Sequence, residues 1–172
     1  MPSQGPNNGS SFTNLDTDNT WTNTTYAQYS DDQRTSATAA RIAPYQTGRL
    51  LATGFGFSIP SDATIEGVVV QVEGYGQVTG NWYAQLYHAG TAIGTAKSAS
   101  FGASEAVATL GSSTDTWGAT LSPSTVNDSS FGVAVRAVFS SSSREAYIDH
   151  ITMTVYYALP DTGGFFYQSV II

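Results

Sequence analysis

Tyr147-Ile148-Asp149-His150-Ile151-Thr152-Met153-Thr154-Val155-Tyr156-Tyr157 is the stretch that decides the fold. Ile151, Met153, Val155 and Tyr157 alternate with Thr152 and Thr154, so one face is apolar and the other polar. A period of two is the signature of a half-buried strand. The same pattern recurs upstream. Ile65 to Glu73 sets Val68, Val70 and Val72 against Glu66, Gln71 and Glu73, and Phe131 to Ala137 sets Phe131, Val133 and Val135 against Arg136. In Leu51 to Ile59 the odd positions are mostly large and apolar and the even ones small. Pro60-Ser61-Asp62 then supplies turn chemistry.

Weaker strands are expected at Trp21–Tyr29, Thr38–Ile42, Trp82–His88 and Ala106–Leu110. Helical periodicity is nearly absent. About eight strands separated by Gly, Ser, Asn and Pro turns predict an all-β fold, an antiparallel β-sandwich. The connections are mostly longer than two-residue hairpins, which favours a jelly-roll. The 172 residues suffice for one domain. Three parts are expected: an N-terminal arm over 1–15, rich in turn formers; a sandwich domain over 16–158; and 159–172, an apolar arm or a final strand.

Charged residues are only 11% of the chain, with 6 basic against 13 acidic and a net charge of −7. Nucleic-acid binding by phosphate neutralisation and adsorption to an anionic membrane are both disfavoured. No apolar run is long enough to span a bilayer as a helix. Without cysteine there is no disulfide, thiolate metal site or thiol nucleophile. The start, Met-Pro-Ser-Gln-Gly-Pro, lacks the basic and apolar regions of a secretory signal, so synthesis in a cytoplasm is expected.

Candidate chemistry is sparse. His88 and His150 fall on or near strands, no Gly-x-Ser-x-Gly elbow occurs, and no serine is tied to either histidine. Asp31-Asp32 reads as a solvated turn, since adjacent carboxylates point apart. Asn14 to Thr20 alternates oxygen ligands as a calcium loop would, but lacks the mid-loop Gly and distant Glu of an EF-hand. It reads as a turn. Asp149 is either the buried end of a hydrogen-bond network or a strand-edge charge. No catalytic residue, metal ligand set or cofactor is assigned, and no enzyme is expected. Trp117 is expected to plug the core.

Two groups could form binding surfaces. Trp82, Tyr83 and Tyr87 share a predicted strand, and aromatic faces with polar tips suit both flat sugars and protein interfaces. Six of the last eight residues (Phe165, Phe166, Tyr167, Val170, Ile171 and Ile172) are apolar, with no charge among the eight. Burial of those side chains and the entropy of ordering the segment roughly cancel for a loose tail. A rigid neighbour offering a sheet edge and a groove would tip the balance. The alternative is the last strand of the sandwich itself.

Three phrases, "GFGFSIPSDATIEGVVVQVEG" (54–74), "TDTWGATLSPSTVNDSSFGVAVRAVF" (114–139) and "AYIDHITMTVYY" (146–157), together resemble β-sandwich structural proteins of tailed-bacteriophage virions. The resemblance covers the body and not the ends. It implies a virion structural protein, favoured as a trimeric capsid decoration (cement) protein that bridges capsid subunits. A tail or fibre component, or a carbohydrate-binding or adhesin module, is the alternative. The implied partners are sister subunits in a homotrimer, the major capsid protein or another virion protein, and a host glycan in the adhesin case. The resemblance carries no catalytic residues.

Overall fold

The computed structural model describes residues 1–161. The C-terminal group Phe165, Phe166, Tyr167, Val170, Ile171 and Ile172 lies outside the described residues, as does most of the expected segment 159–172.

Ten strands follow in chain order: β1 Ser3–Asn8, β2 Ser11–Asn14, β3 Thr35–Thr38, β4 Leu50–Thr53, β5 Thr64–Gly76, β6 Gly80–His88, β7 Thr91–Phe101, β8 Ala106–Gly111, β9 Gly132–Val138 and β10 Glu145–Ala158. They form two antiparallel sheets. Sheet A runs β1-β10-β5-β8, with β3 also pairing β10, and sheet B runs β2-β4-β9-β6-β7. Setting aside β1 and β2, the remaining eight strands switch sheets at every connection but the β6–β7 hairpin, which is the order of a jelly-roll. The protein is an all-β antiparallel sandwich.

The alternation seen in the sequence builds the core. Val68, Val70 and Val72 of β5 face Ile151, Met153 and Val155 of β10, with Val133 and Val135 of β9 and Leu50 of β4 opposite them, all fully buried. Burying each such side chain is worth about 1.5–3 kcal/mol relative to exposure. In β10 Ile148 pairs Gly74 while His150 pairs the adjacent Glu73, which leaves Asp149 as the extra residue of a bulge. That bulge shifts the phase of alternation, so Ile148 and Ile151 both reach the core. Trp117 is buried as expected and donates its indole Nε1–H to the Val68 carbonyl at 2.9 Å.

The expected N-terminal arm is instead two strands, one on each sheet. β3 pairs only Glu145–Ile148 of β10. The rest of that edge would be left open, and β1 pairs it from Ser3↔Tyr156 to Asn8↔Thr152. Tyr157 donates its N–H to the Pro2 carbonyl at the very end. β2 covers β4 in the same way.

Three other stretches depart from expectation. The strand expected over Leu51–Ile59 stops at Thr53, because Gly54 (φ 71°) and Gly56 (φ 68°) turn the backbone out of the ladder. Phe55, Phe57 and Ile59 are nevertheless buried. Side-chain amides replace the lost ladder: Asn7 donates to the Phe55 carbonyl, Gln4 both donates to and accepts from Ser58, and Asn127 does the same at Ile59. Trp21–Tyr29 is not a strand but a 3-10 turn at Thr24–Ala27, entered through Asn23 at φ 50°. Asn14 holds the Trp21 backbone from both sides, at 2.8 and 2.9 Å, which fixes the turn. Thr38–Ile42 is loop after Thr38. β7 escapes the sequence reading because it is an edge strand of mostly small residues, with Thr95 and Lys97 breaking up the inward side that holds Ile93, Ala99 and Phe101.

Candidate functional site

Strand alternation divides the expected aromatic group. Tyr83, Gln85 and Tyr87 of β6 stand on the outer face of sheet B, and Trp82 points the other way. Trp82 is fully buried, 4.3 Å (ring centroids) from Phe101 and 6.4 Å from Trp21. It belongs to the core and is no part of a binding face. Tyr83 remains 37% exposed. Tyr87 is buried, and its hydroxyl accepts a hydrogen bond from Arg49 Nη1–H at 2.8 Å.

Arg49 is itself pinned. Asp16 follows β2 and Arg49 precedes β4, so the pairing of those strands brings the two side by side. The Arg49 Nη2 donates to Asp16 Oδ1 at 2.6 Å, Nε to Oδ2 at 3.0 Å, and the Arg49 backbone N–H to Oδ2 at 2.7 Å. Hydrogen bonds from Arg49 hold the Asp16 carboxyl below the ordinary carboxylate range despite partial burial. Arg49 is raised above the usual arginine value, first by the same bonds.

Arg136 of β9 differs. Directly opposite Tyr83 in the β6–β9 register, it places its guanidinium carbon 6.0 Å from the centroid of that ring. Among the described residues it has no hydrogen bond or ion pair. Ala134 and Ala96 are too small to fill the face beside it. The result is a pocket of about 110 Å³ bounded by Tyr83, Gln85, Tyr87, Arg49 and Arg136. Arg49 and Arg136 also line a second cavity, of about 510 Å³, with Ala40, Ile42, Pro44, Asp18 and Asn19. This volume is in the range of small-ligand sites. A half-exposed aromatic ring, a stacked guanidinium without an acceptor and a carboxamide can bind a polar, flat-faced ligand. Composition alone hides Arg49 and Arg136; the register of β4, β9 and β6 brings them to the tyrosines.

The other candidates lie elsewhere. Asn14 and Asp16 spend their side chains on Trp21 and Arg49, so the oxygens of 14–20 do not converge on one point. His88 Nε2 is 3.9 Å from Asp128 Oδ2, and Ser130 donates its hydroxyl to Asp128 Oδ1 at 2.7 Å. The carboxylate there lies between serine and histidine, whereas an activated serine needs the histidine next to it. His150 meets Asn8 Oδ1 at 2.9 Å on the outer face of sheet A. Asp149 is only 2% exposed, and burial pushes its carboxyl up. Asp31 is solvated as expected, bonding Gln33, while Asp32 is drawn to Arg34.

No family model matches the chain, and no curated protein matches it. Among solved structures, one described as "CBM4 structure and function" is similar with a TM-score of 0.45 and 12% identity. The match covers 73% of this chain and 85% of that one.

Proposed function

We propose that the protein is a structural component of a tailed-phage virion, a capsid decoration protein that acts as a homotrimer by binding rather than by chemistry. One observation supports this reading: among the described residues β10 is already paired on both sides, by β5 along one and by β1 and β3 along the other. In this reading the apolar side chains among Phe165 to Ile172 serve a second chain, by strand addition to a sister subunit or to a capsid protein. The resemblance supports the same reading. Its three phrases supply most of β5, β9 and most of β10, the two inner strands of sheet A and one of the three of sheet B. A block that binds only the assembled shell stabilises that shell by mass action.

Deleting Gly164–Ile172 tests this. The truncated chain is expected to keep its thermal midpoint while light scattering shows loss of the trimer and co-sedimentation shows loss of shell attachment. A truncated chain that still assembles and attaches would refute the role given to the segment.

A second reading, a carbohydrate-binding module, is favoured by the Tyr83–Arg136 pair on the outer face of sheet B. In it Tyr83 stacks on a sugar ring while Arg136 and Gln85 bond its hydroxyls.

A further inference from the structure

A second constellation lies on the opposite sheet. One carboxylate oxygen each from Asp32, Glu105 and Asp149 fall within 4.8 Å of one another. They come from three separate parts of the chain: the loop before β3, the β7–β8 turn and the bulge of β10. The bulge is what re-aims Asp149 out of the regular alternation.

Asp149 sets this cluster apart from an ordinary acidic surface. It is 2% exposed, and its Oδ1 is buried with no hydrogen-bond partner among the described residues. Its Oδ2 receives only a long bond, 3.4 Å, from the Asp32 backbone N–H. A buried carboxylate left this bare is costly unless something cationic meets it. Arg34 does not reach it. That guanidinium is spent on Glu105, at 2.6 and 2.8 Å, and on Asp32 Oδ1 at 2.7 Å. Three carboxyl groups share one guanidinium, and that guanidinium leaves Asp149 without a cationic partner.

We infer that Asp32, Glu105 and Asp149 form a calcium site that ties the loop before β3 and the β7–β8 turn to β10. The donor set is all carboxylate oxygen, which suits a hard cation and not zinc or copper. Three protein carboxylates from three segments suit calcium, which takes about six to eight oxygens in flexible geometry, better than magnesium, which keeps several waters and uses one or two carboxylates. Asp32 is the exposed member, with 85% of its side chain accessible, so water can complete the coordination on that side.

The test uses the full chain, stripped with EDTA and then titrated with CaCl2 or MgCl2, read by calorimetric binding and by thermal midpoint. Calcium at about a hundredfold excess over its dissociation constant is expected to raise the midpoint by about 5–10 °C. Magnesium should do much less. Asp149→Asn keeps the shape and should abolish the calcium response. Should that variant fail to fold, Asp32→Asn, at an exposed position, should fold and weaken calcium binding at least tenfold. A flat calorimetric trace and an unchanged midpoint up to about 10 mM CaCl2, beyond the weak end of natural sites, would overturn the assignment. So would an equal response to magnesium, or a calcium response that survives in the folded variants.

Discussion

Asp16 and Arg49 are clasped through three kinds of bond at once: Nη2 to Oδ1 at 2.6 Å, Nε to Oδ2 at 3.0 Å, and the Arg49 backbone N–H to Oδ2 at 2.7 Å. The clasp closes β2 onto β4 and holds the guanidinium against the Tyr87 hydroxyl. It makes one wall of the sheet B pocket rigid while leaving Arg136, next to it, uncommitted.

The pH dependence of stability follows from that clasp. The folded-state value of Asp16 lies below its ordinary 3.8. Its contribution is therefore fully present above the unfolded value and lost as pH falls through the folded one. Wild-type stability in urea should drop below about pH 4, and Asp16→Asn should flatten part of that drop. At neutral pH the substitution should cost about 1 kcal/mol, since both side chains are a third or more exposed.

The two buried indoles should answer differently to Phe. Trp117 donates to the buried Val68 carbonyl, so Trp117→Phe orphans an acceptor and should cost about 1–3 kcal/mol beyond the lost volume. Trp82 Nε1 is buried without a partner. Trp82→Phe removes an unsatisfied donor and should cost less. Denaturant melts of the two variants side by side decide it, and an equal or reversed ranking contradicts the assignment.

Residues 1–9 should not behave as a dispensable tail. Their removal uncovers the β10 edge from Thr152 to Tyr156 and takes Gln4 and Asn7 away from Ser58 and Phe55. The expected result is a thermal midpoint lower by several degrees and faster aggregation, followed by light scattering. An unchanged midpoint would mean that β1 contributes nothing.

Tyr83→Ala and Arg136→Gln separate the two readings of the outer face of sheet B. Both positions are partly exposed, so each substitution should cost under about 1 kcal/mol. If the face binds sugar, either variant should lose glycan-array signals by tenfold or more while shell attachment persists. Unchanged signals in both variants would remove the carbohydrate reading.

The sandwich was legible wherever a strand had one wet and one dry face. β5, β9 and β10 announce themselves because Val72 stands between Gln71 and Glu73, Val135 beside Arg136, and Met153 between Thr152 and Thr154. β1 and β7 do not, for an edge strand has little to bury and its Ser, Gly, Ala and Asn residues look like loop. The candidate sites were less visible for a different reason. Tyr83 could be picked out as an aromatic on a strand, but Arg136 joins it through cross-strand register, which no local pattern encodes. Trp82 was grouped with its neighbour although adjacent strand residues must part company. Asp32, Glu105 and Asp149 meet across two loops and a bulge, and only Asp149 carried a local hint.

Ser3 lies opposite Tyr156, and Pro2 accepts from Tyr157. The chain therefore enters the sandwich beside the point where its last strand leaves. Mechanical load applied through both ends would peel β1 from β10 one rung at a time, a weak unzipping geometry. Load passing through the flat outer face of sheet B would meet strands held on both sides. A block built this way withstands force best when it is gripped by its faces and tethered by one pole.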